Sequence, residues 1–134
     1  MVQAVNSQKL QKMGPYSHAV ISGGFVFLSG QTGNVSGAQT TFETQFQNTV
    51  EKISDILKLC ESSLDFVVKC NVYLSDAKNF QKMNELYAVQ FTKNPPARTT
   101  LVTGFVSPEV LLEMDVVAEI PKQKTSASNQ WPFT

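Results

Sequence analysis

The sequence contains a single histidine, His18, and only two cysteines, Cys60 and Cys70, which form no C-x-x-C pair. Zinc sites built from paired histidines or cysteine knuckles are thereby excluded, and no metal is expected. A Ser-His-Asp triad would have to use His18 as its base, and no G-x-S-x-G elbow accompanies it. Neither Ser22-Gly23-Gly24 nor Gly30-Gln31-Thr32-Gly33 belongs to a G-x-G-x-x-G or G-x-x-x-x-G-K-[ST] loop, so the usual phosphate cradles are missing and no cofactor is expected. An excess of charge is missing too. Eleven basic and eleven acidic side chains cancel, leaving no electrostatic footprint for a phosphate backbone, and no nucleic-acid partner is expected.

Long apolar runs are also absent: none approaches the roughly 18 residues of a membrane span, and residues 1–13 lack the apolar core of a secretory signal. No membrane partner is expected. Lys9 and Lys12 are too sparse to make a clear transit peptide, so the expected compartment is cytoplasmic, with mitochondrial the second choice. Charged residues are only 16% of the chain, against roughly 25% in an average soluble domain. A surface so short of charge suggests cover by other copies of the chain.

With 134 residues, 42% of them hydrophobic, the chain has the size and composition of one globular domain. Two strands are expected first, over 17–21 and 25–29, joined at Gly23-Gly24 by a tight hairpin turn. Thr40 and Glu43 form a capping box for a helix to about Cys60, with Phe42, Phe46, Val50, Ile53 and Leu57 on its apolar face. Residues 66–74 alternate, placing Val68, Cys70, Val72 and Leu74 on one face of a strand. Asp76 is the expected N-cap of a second helix, with Phe80, Met83, Tyr87 and Phe91 along its stripe, which ends before Asn94-Pro95-Pro96. Strands over 98–103 and 111–120 follow, expected to pair antiparallel because the Pro- and Gly-marked link between them is short. Both cysteines fall on core faces and read as reduced, buried thiols. From Pro121 the sequence turns polar and closes on Trp131-Pro132-Phe133, a tail expected to dock by its aromatic tip.

The resulting order, β-β-α-β-α-β-β, is an α/β (α+β) domain with a mixed sheet and two helices on one face. The last strand puts Leu112, Met114, Val116 and Ala118 on one face and Leu111, Glu113, Asp115, Val117 and Glu119 on the other. A face mixing Leu and Val with carboxylates suits a subunit interface containing a polar cleft. Arg98, Thr100 and Val102 share a face of the preceding strand, and the same argument places them at that interface, with Arg98 and Glu113 on one face of neighbouring strands.

Arg98 is pinned behind Asn-Pro-Pro-Ala, and its guanidinium can grip a carboxylate in a bidentate pair; the competing reading is a structural salt bridge to Glu113 or Asp115. Glu113, a strand-interior acid between Leu112 and Met114, must be either paired or functional. Tyr16 and Ser29 bracket the hairpin, Asn84 sits inside a helix where Asn is mildly unfavourable, and each is individually weak. His18 reads as a surface or hydrogen-bonded structural residue. Composition and spacing alone stop there.

The run Pro96-Ala97-Arg98-Thr99-Thr100-Leu101, followed by Leu112-Glu113-Met114, resembles the signature of the RidA, or YjgF-type, family of reactive imine deaminases. Gly14-Pro15-Tyr16-Ser17, Phe27-Leu28-Ser29-Gly30-Gln31, Ser63-Leu64-Asp65 and Asn84-x-x-Tyr87 fall where that family has similar segments, so the resemblance spans about residues 14–120. It implies a chorismate-mutase-like fold and a homotrimer whose sheets line an inner barrel, with a site in each cleft between subunits. It also implies hydrolysis of 2-imino acids, formed from enamines such as 2-aminoacrylate, to 2-oxo acids and ammonia. By the resemblance, Arg98 grips the substrate carboxylate, Glu113 orients and deprotonates water, Tyr16 and Ser29 line the cleft, and Asn84 adds a polar contact from the neighbouring subunit. Thr100 stands where the family commonly has Cys. That departure, a Pro-poor loop after Gln31 and the long tail leave an alternative, a specialised biosynthetic enzyme that tautomerises or cyclises an imine. A ligand-sensing or ribonuclease-like role ranks behind both.

Overall fold

Gly23 and Gly24 take φ angles of 61° and 83°, the left-handed pair that a two-residue hairpin turn requires. They join strand β2 (Ala19–Ser22) to β3 (Phe25–Leu28) in a computed structural model that describes residues 2–121. A short β1 (Gln3–Val5) pairs antiparallel with β2, and β4 (Gln31–Thr32) follows β3 directly after Ser29-Gly30. Neither short strand is legible in the sequence pattern. Trp131 and Phe133, and with them the expected docking of the tail, lie outside the described residues.

Helix α1 (Phe42–Leu59) starts one residue later than its capping box implied. Thr41, not Thr40, is the N-cap, its Oγ1 accepting from the Thr44 amide at 3.1 Å. Thr40 Oγ1 instead accepts from Gln45 Nε2 at 3.0 Å. Gln45 is buried, and its amide also donates to the Glu109 carbonyl and accepts from the Leu111 amide, both at 2.9 Å. A single satisfied side chain thus clamps the helix to the loop that leads into the last strand.

Strand β5 (Val67–Leu74), helix α2 (Phe80–Gln90) and strand β6 (Ala97–Val102) come next. Asp76 caps a single 3-10 turn, Ala77–Asn79, that runs into α2, its Oδ1 accepting from the Lys78 amide at 2.8 Å. A bulge between Val67 and Lys69 buries Val67 and turns Val68 outward, correcting the expectation that Val68 shares the core face of Cys70.

Strand β7 (Leu112–Glu119) completes a sheet of order β1-β2-β3-β7-β5-β6, with β4 also on β7. The last two strands therefore do not pair, contrary to the sequence expectation. The crossover through α2 returns the chain to the end where β5 began, so β6 lies parallel to β5. The 103–111 link then carries β7 past β5 into the slot between β5 and β3, antiparallel to both.

Both helices lie on one face, where Phe46, Ile53, Ile56 and Leu57 pack on Val72, Leu74, Leu112 and Met114. Cys60 and Cys70 are free, buried thiols in this core. Burial raises both, Cys70 to about 12. The opposite face leaves Phe25, Phe27 and Leu101 exposed around an Asn71–Asp115 hydrogen bond of 2.8 Å, the mixed composition expected of it. No helix among the described residues is long and apolar enough to cross a membrane.

Candidate functional site

Strand register divides the sequence-nominated residues into two sets. Glu113 is paired with Thr32 on β4 and with Tyr73 on β5, so its side chain stands on the face that carries no helices. Gly30 lies directly beneath it: a Cβ built there would come within 2.8 Å of Glu113 Cδ. The carboxyl is half-buried, and burial first, then the neighbouring Asp115, push it above the ordinary carboxylate range. A half-desolvated carboxylate with raised basicity is a stronger general base than an ordinary one.

Ser29 adjoins this position. Its hydroxyl donates to the Ser17 carbonyl at 2.6 Å, and its amide donates to the His18 carbonyl at 3.0 Å, so its remaining capacity is as an acceptor. Tyr16 precedes Ser17, is 40% exposed, and its hydroxyl accepts from the Met13 amide at 3.1 Å. His18 is buried, not superficial. Its Nδ1 accepts from the Ser7 amide at 2.9 Å, which fixes the ring as a structural tie for the first segment.

The second set sits elsewhere. Arg98 is in register with Cys70 and Thr100 with Val72, which places both on the helix-bearing face at the edge of the sheet. The Arg98 guanidinium lies 4.8 Å from the Tyr87 ring centre and 5.9 Å from that of Phe80, and its Nη1 is 3.7 Å from Met83 Sδ. Asn84 follows Met83 on α2 and is half-buried. The Thr100 hydroxyl is buried with no hydrogen-bond partner among the described residues. The Tyr87 hydroxyl lies against the Cys70 thiol but makes no hydrogen bond with it, and burial followed by that thiol raises the phenol above its usual range.

Two expectations are corrected here. Arg98 and Glu113 share no face, because the register aligns Arg98 with Cys70 and Val116 but Glu113 with Tyr73 and Leu101, and no strand boundary, because β5 lies between β6 and β7. Two strand spacings alone separate them by about 10 Å. The salt-bridge reading of Arg98 fails for the same reason: among the described residues the ion pair present is Lys82–Glu85 at 3.3 Å, and Asp115 is engaged by Asn71. Arg98 is a half-buried cation with no carboxylate partner among the described residues.

Sequence reasoning missed the close approach of Gly30 and the seat that Met83 and Tyr87 form for Arg98. A helical stripe of Phe, Met and Tyr reads as core, and only the position of β6 beside it reveals the guanidinium. An open cleft of about 290 Å³ between Phe66, Val68, Pro95 and Glu119 contains none of the nominated residues. No cluster of metal-ligating side chains occurs among the described residues.

Comparison with known proteins adds a family. Residues 6–120 match the family described as endoribonuclease L-PSP. The mitochondrial protein mmf2 of Schizosaccharomyces pombe is 40% identical over 102 residues, 75% of this chain and 81% of its own length. The crystal structure of yeast Mmf1 superposes with a TM-score of 0.82 at 32% identity, covering 90% of this chain and all of that one. RidA from an Antarctic Psychrobacter gives 0.81 at 29% identity, covering 88% of this chain and 99% of its own.

Proposed function

The chain belongs to the endoribonuclease L-PSP family, the YjgF or RidA family, and from that membership we propose that it hydrolyses reactive 2-imino acids, such as 2-iminopropanoate, to 2-oxo acids and ammonia. The observation that carries the reading is the pairing of an uncompensated guanidinium, Arg98, with a basic carboxylate, Glu113, on opposite faces of one sheet. One chain cannot apply both to a small molecule. A homotrimer packed through the open sheet face brings Glu113 of one copy to Arg98 at the sheet edge of the next, and the exposed Phe25, Phe27 and Leu101 supply the apolar contact.

In that cleft the Arg98 fork holds the substrate carboxylate in a bidentate pair. The imine carbon is already electrophilic, so the remaining work is to place and deprotonate a water. Glu113 takes a proton as the water oxygen bonds to the carbon, and the C=N electron pair moves to nitrogen, which receives that proton from Glu113. The carbinolamine then collapses: Glu113 passes the hydroxyl proton to the nitrogen, the C–N bond breaks, ammonia leaves, and the hydroxyl oxygen becomes the 2-oxo group. Thr100 and Asn84 line the Arg98 side, Ser29 and Tyr16 the Glu113 side.

Transphosphorylation of RNA suits these residues poorly. The single imidazole is buried with Nδ1 engaged, and the net charge is zero. The same two groups would serve an enzyme that tautomerises or cyclises a specialised imine, a reading favoured only by Thr100 at the position commonly cysteine. The two free thiols are in keeping with a reducing compartment, and we place the protein in the cytoplasm, with the mitochondrial naming of its relatives supporting the second choice.

The test is release of 2-oxo acid from an imine generated in place by an amino-acid oxidase or serine dehydratase, since the imine also hydrolyses unaided. Acceleration over the uncatalysed rate is expected. A confirmed trimer that accelerates none of the imino acids overturns the deaminase reading.

A further inference from the structure

A guanidinium is costly to half-bury without an anion unless its surroundings stabilise the charge some other way. Around Arg98 that stabilisation comes from neutral groups. The Tyr87 ring lies 4.8 Å from the guanidinium carbon and the Phe80 ring 5.9 Å, and Met83 Sδ accepts from Nη1 at 3.7 Å. Ring quadrupole and polarisable sulfur favour a cation without neutralising it. Beneath them Cys70, in register with Arg98 on β5, is a thiol raised to about 12. Asp115, the nearest acid on the central strand, belongs to the other face and is engaged by Asn71. Lys69, which also faces that side of the sheet, is bonded to Thr99 at 2.8 Å.

We propose that Tyr87, Met83 and Phe80 are positioning residues that hold the Arg98 guanidinium at the sheet edge with its charge uncompensated, and that this neutral seat sets the affinity of the site for carboxylates. The inference rests on the assignment of Arg98 as the carboxylate anchor. Met83 and Tyr87 are buried, so the seat is part of the folded core and is preformed before any ligand arrives. An aromatic face also fixes the plane of the fork, which a bidentate carboxylate needs.

The experiment compares Tyr87→Leu with Tyr87→Phe, each checked for folding by circular dichroism. Two readouts are taken: KM and kcat in the imine assay, and the Kd of a simple 2-oxo acid, 2-oxobutanoate, by calorimetry without turnover. Removing the ring in Tyr87→Leu is expected to weaken both KM and Kd by about 10-fold or more, with kcat within about 3-fold of wild type. Tyr87→Phe, which restores the ring without the hydroxyl, is expected to bring both constants back to within about 3-fold of wild type. Met83→Gln and Met83→Glu form a second pair of similar shape: the carboxylate alone should neutralise Arg98 and abolish 2-oxobutanoate binding. A folded Tyr87→Leu with wild-type KM and Kd, or a loss in kcat alone, overturns the proposal. So does equal binding by Met83→Gln and Met83→Glu. Were the wild type to bind 2-oxobutanoate in a seat-dependent way yet accelerate no imine hydrolysis, the deaminase reading would fail and the seat would stand.

Discussion

Gly30 lies so close beneath Glu113 that a methyl group in place of its hydrogen would come within 2.8 Å of the carboxyl carbon and 3.1 Å of Cγ. The obstructed group is the free end of a side chain, so Gly30→Ala can fold by swinging the carboxylate away. The variant is expected to keep wild-type secondary structure and assembly while losing about 10²-fold in kcat, because a general base works only within hydrogen-bond reach of its water. Rate assays alongside light scattering check it; full activity would place the working carboxylate elsewhere.

Arg98→Ala is expected to abolish measurable acceleration at ordinary substrate concentration, since the carboxylate loses its anchor. Arg98→Lys should recover little, because a point charge does not reproduce the planar fork. Saturation curves on both variants decide it, with a Lys variant of wild-type KM speaking against a bidentate grip.

As the proposed base Glu113 must be ionised, and its carboxyl is raised by burial and by Asp115. Activity should therefore fall as pH is lowered, with an inflection above the ordinary carboxylate range. For stability the sign is opposite. A folded-state value above the unfolded one means a contribution fully present below the ordinary carboxylate pKa and lost as pH rises through the raised one. At pH 7 the ionised group thus costs stability, and Glu113→Gln should unfold at or above the wild-type Tm while losing about 10²-fold or more in rate. Thermal scans at pH 4 and pH 7 should show that advantage shrinking in acid.

Arg98→Ala and Glu113→Gln are each expected to be inactive alone but to complement each other when co-expressed. In a trimer whose sites each take Arg98 from one copy and Glu113 from the next, every mixed ring contains one intact site. An equal mixture should recover about a quarter of the wild-type rate. No recovery in mixed trimers would mean that both groups act within one chain.

Gly33 offers a contrast with Gly30, because a Cβ there meets the helix backbone, at 2.7 Å from the Gln45 carbonyl carbon, and Thr49 Oγ1 at 2.8 Å. Backbone cannot swing aside. Gly33→Ala should destabilise the fold by about 1–3 kcal/mol, read from denaturant unfolding, with the residual folded fraction fully active.

The sequence by itself determined what short-range physics controls. Alternation in 66–74 and 111–120, the helical stripes, the Gly23-Gly24 turn and the proline stop before Arg98 each act over a few residues, so the two helices, the five main strands and the core face of the last strand were legible. The bulge that turns Val68 outward and the face of the Arg98 strand were not. Arg98 and Glu113 also stood out locally, as charges in strands. Tertiary structure alone decided their relation. Strand pairing is non-local, and a short link between β6 and β7 did not reveal that β5 would lie between them, with a register that aligns Arg98 with Cys70 on one face and Glu113 with Tyr73 on the other. Gly30 beneath Glu113 and Tyr87 beneath Arg98 are likewise contacts across more than 80 residues and 10 residues of sequence, made by chain segments whose local patterns carry no mark of each other.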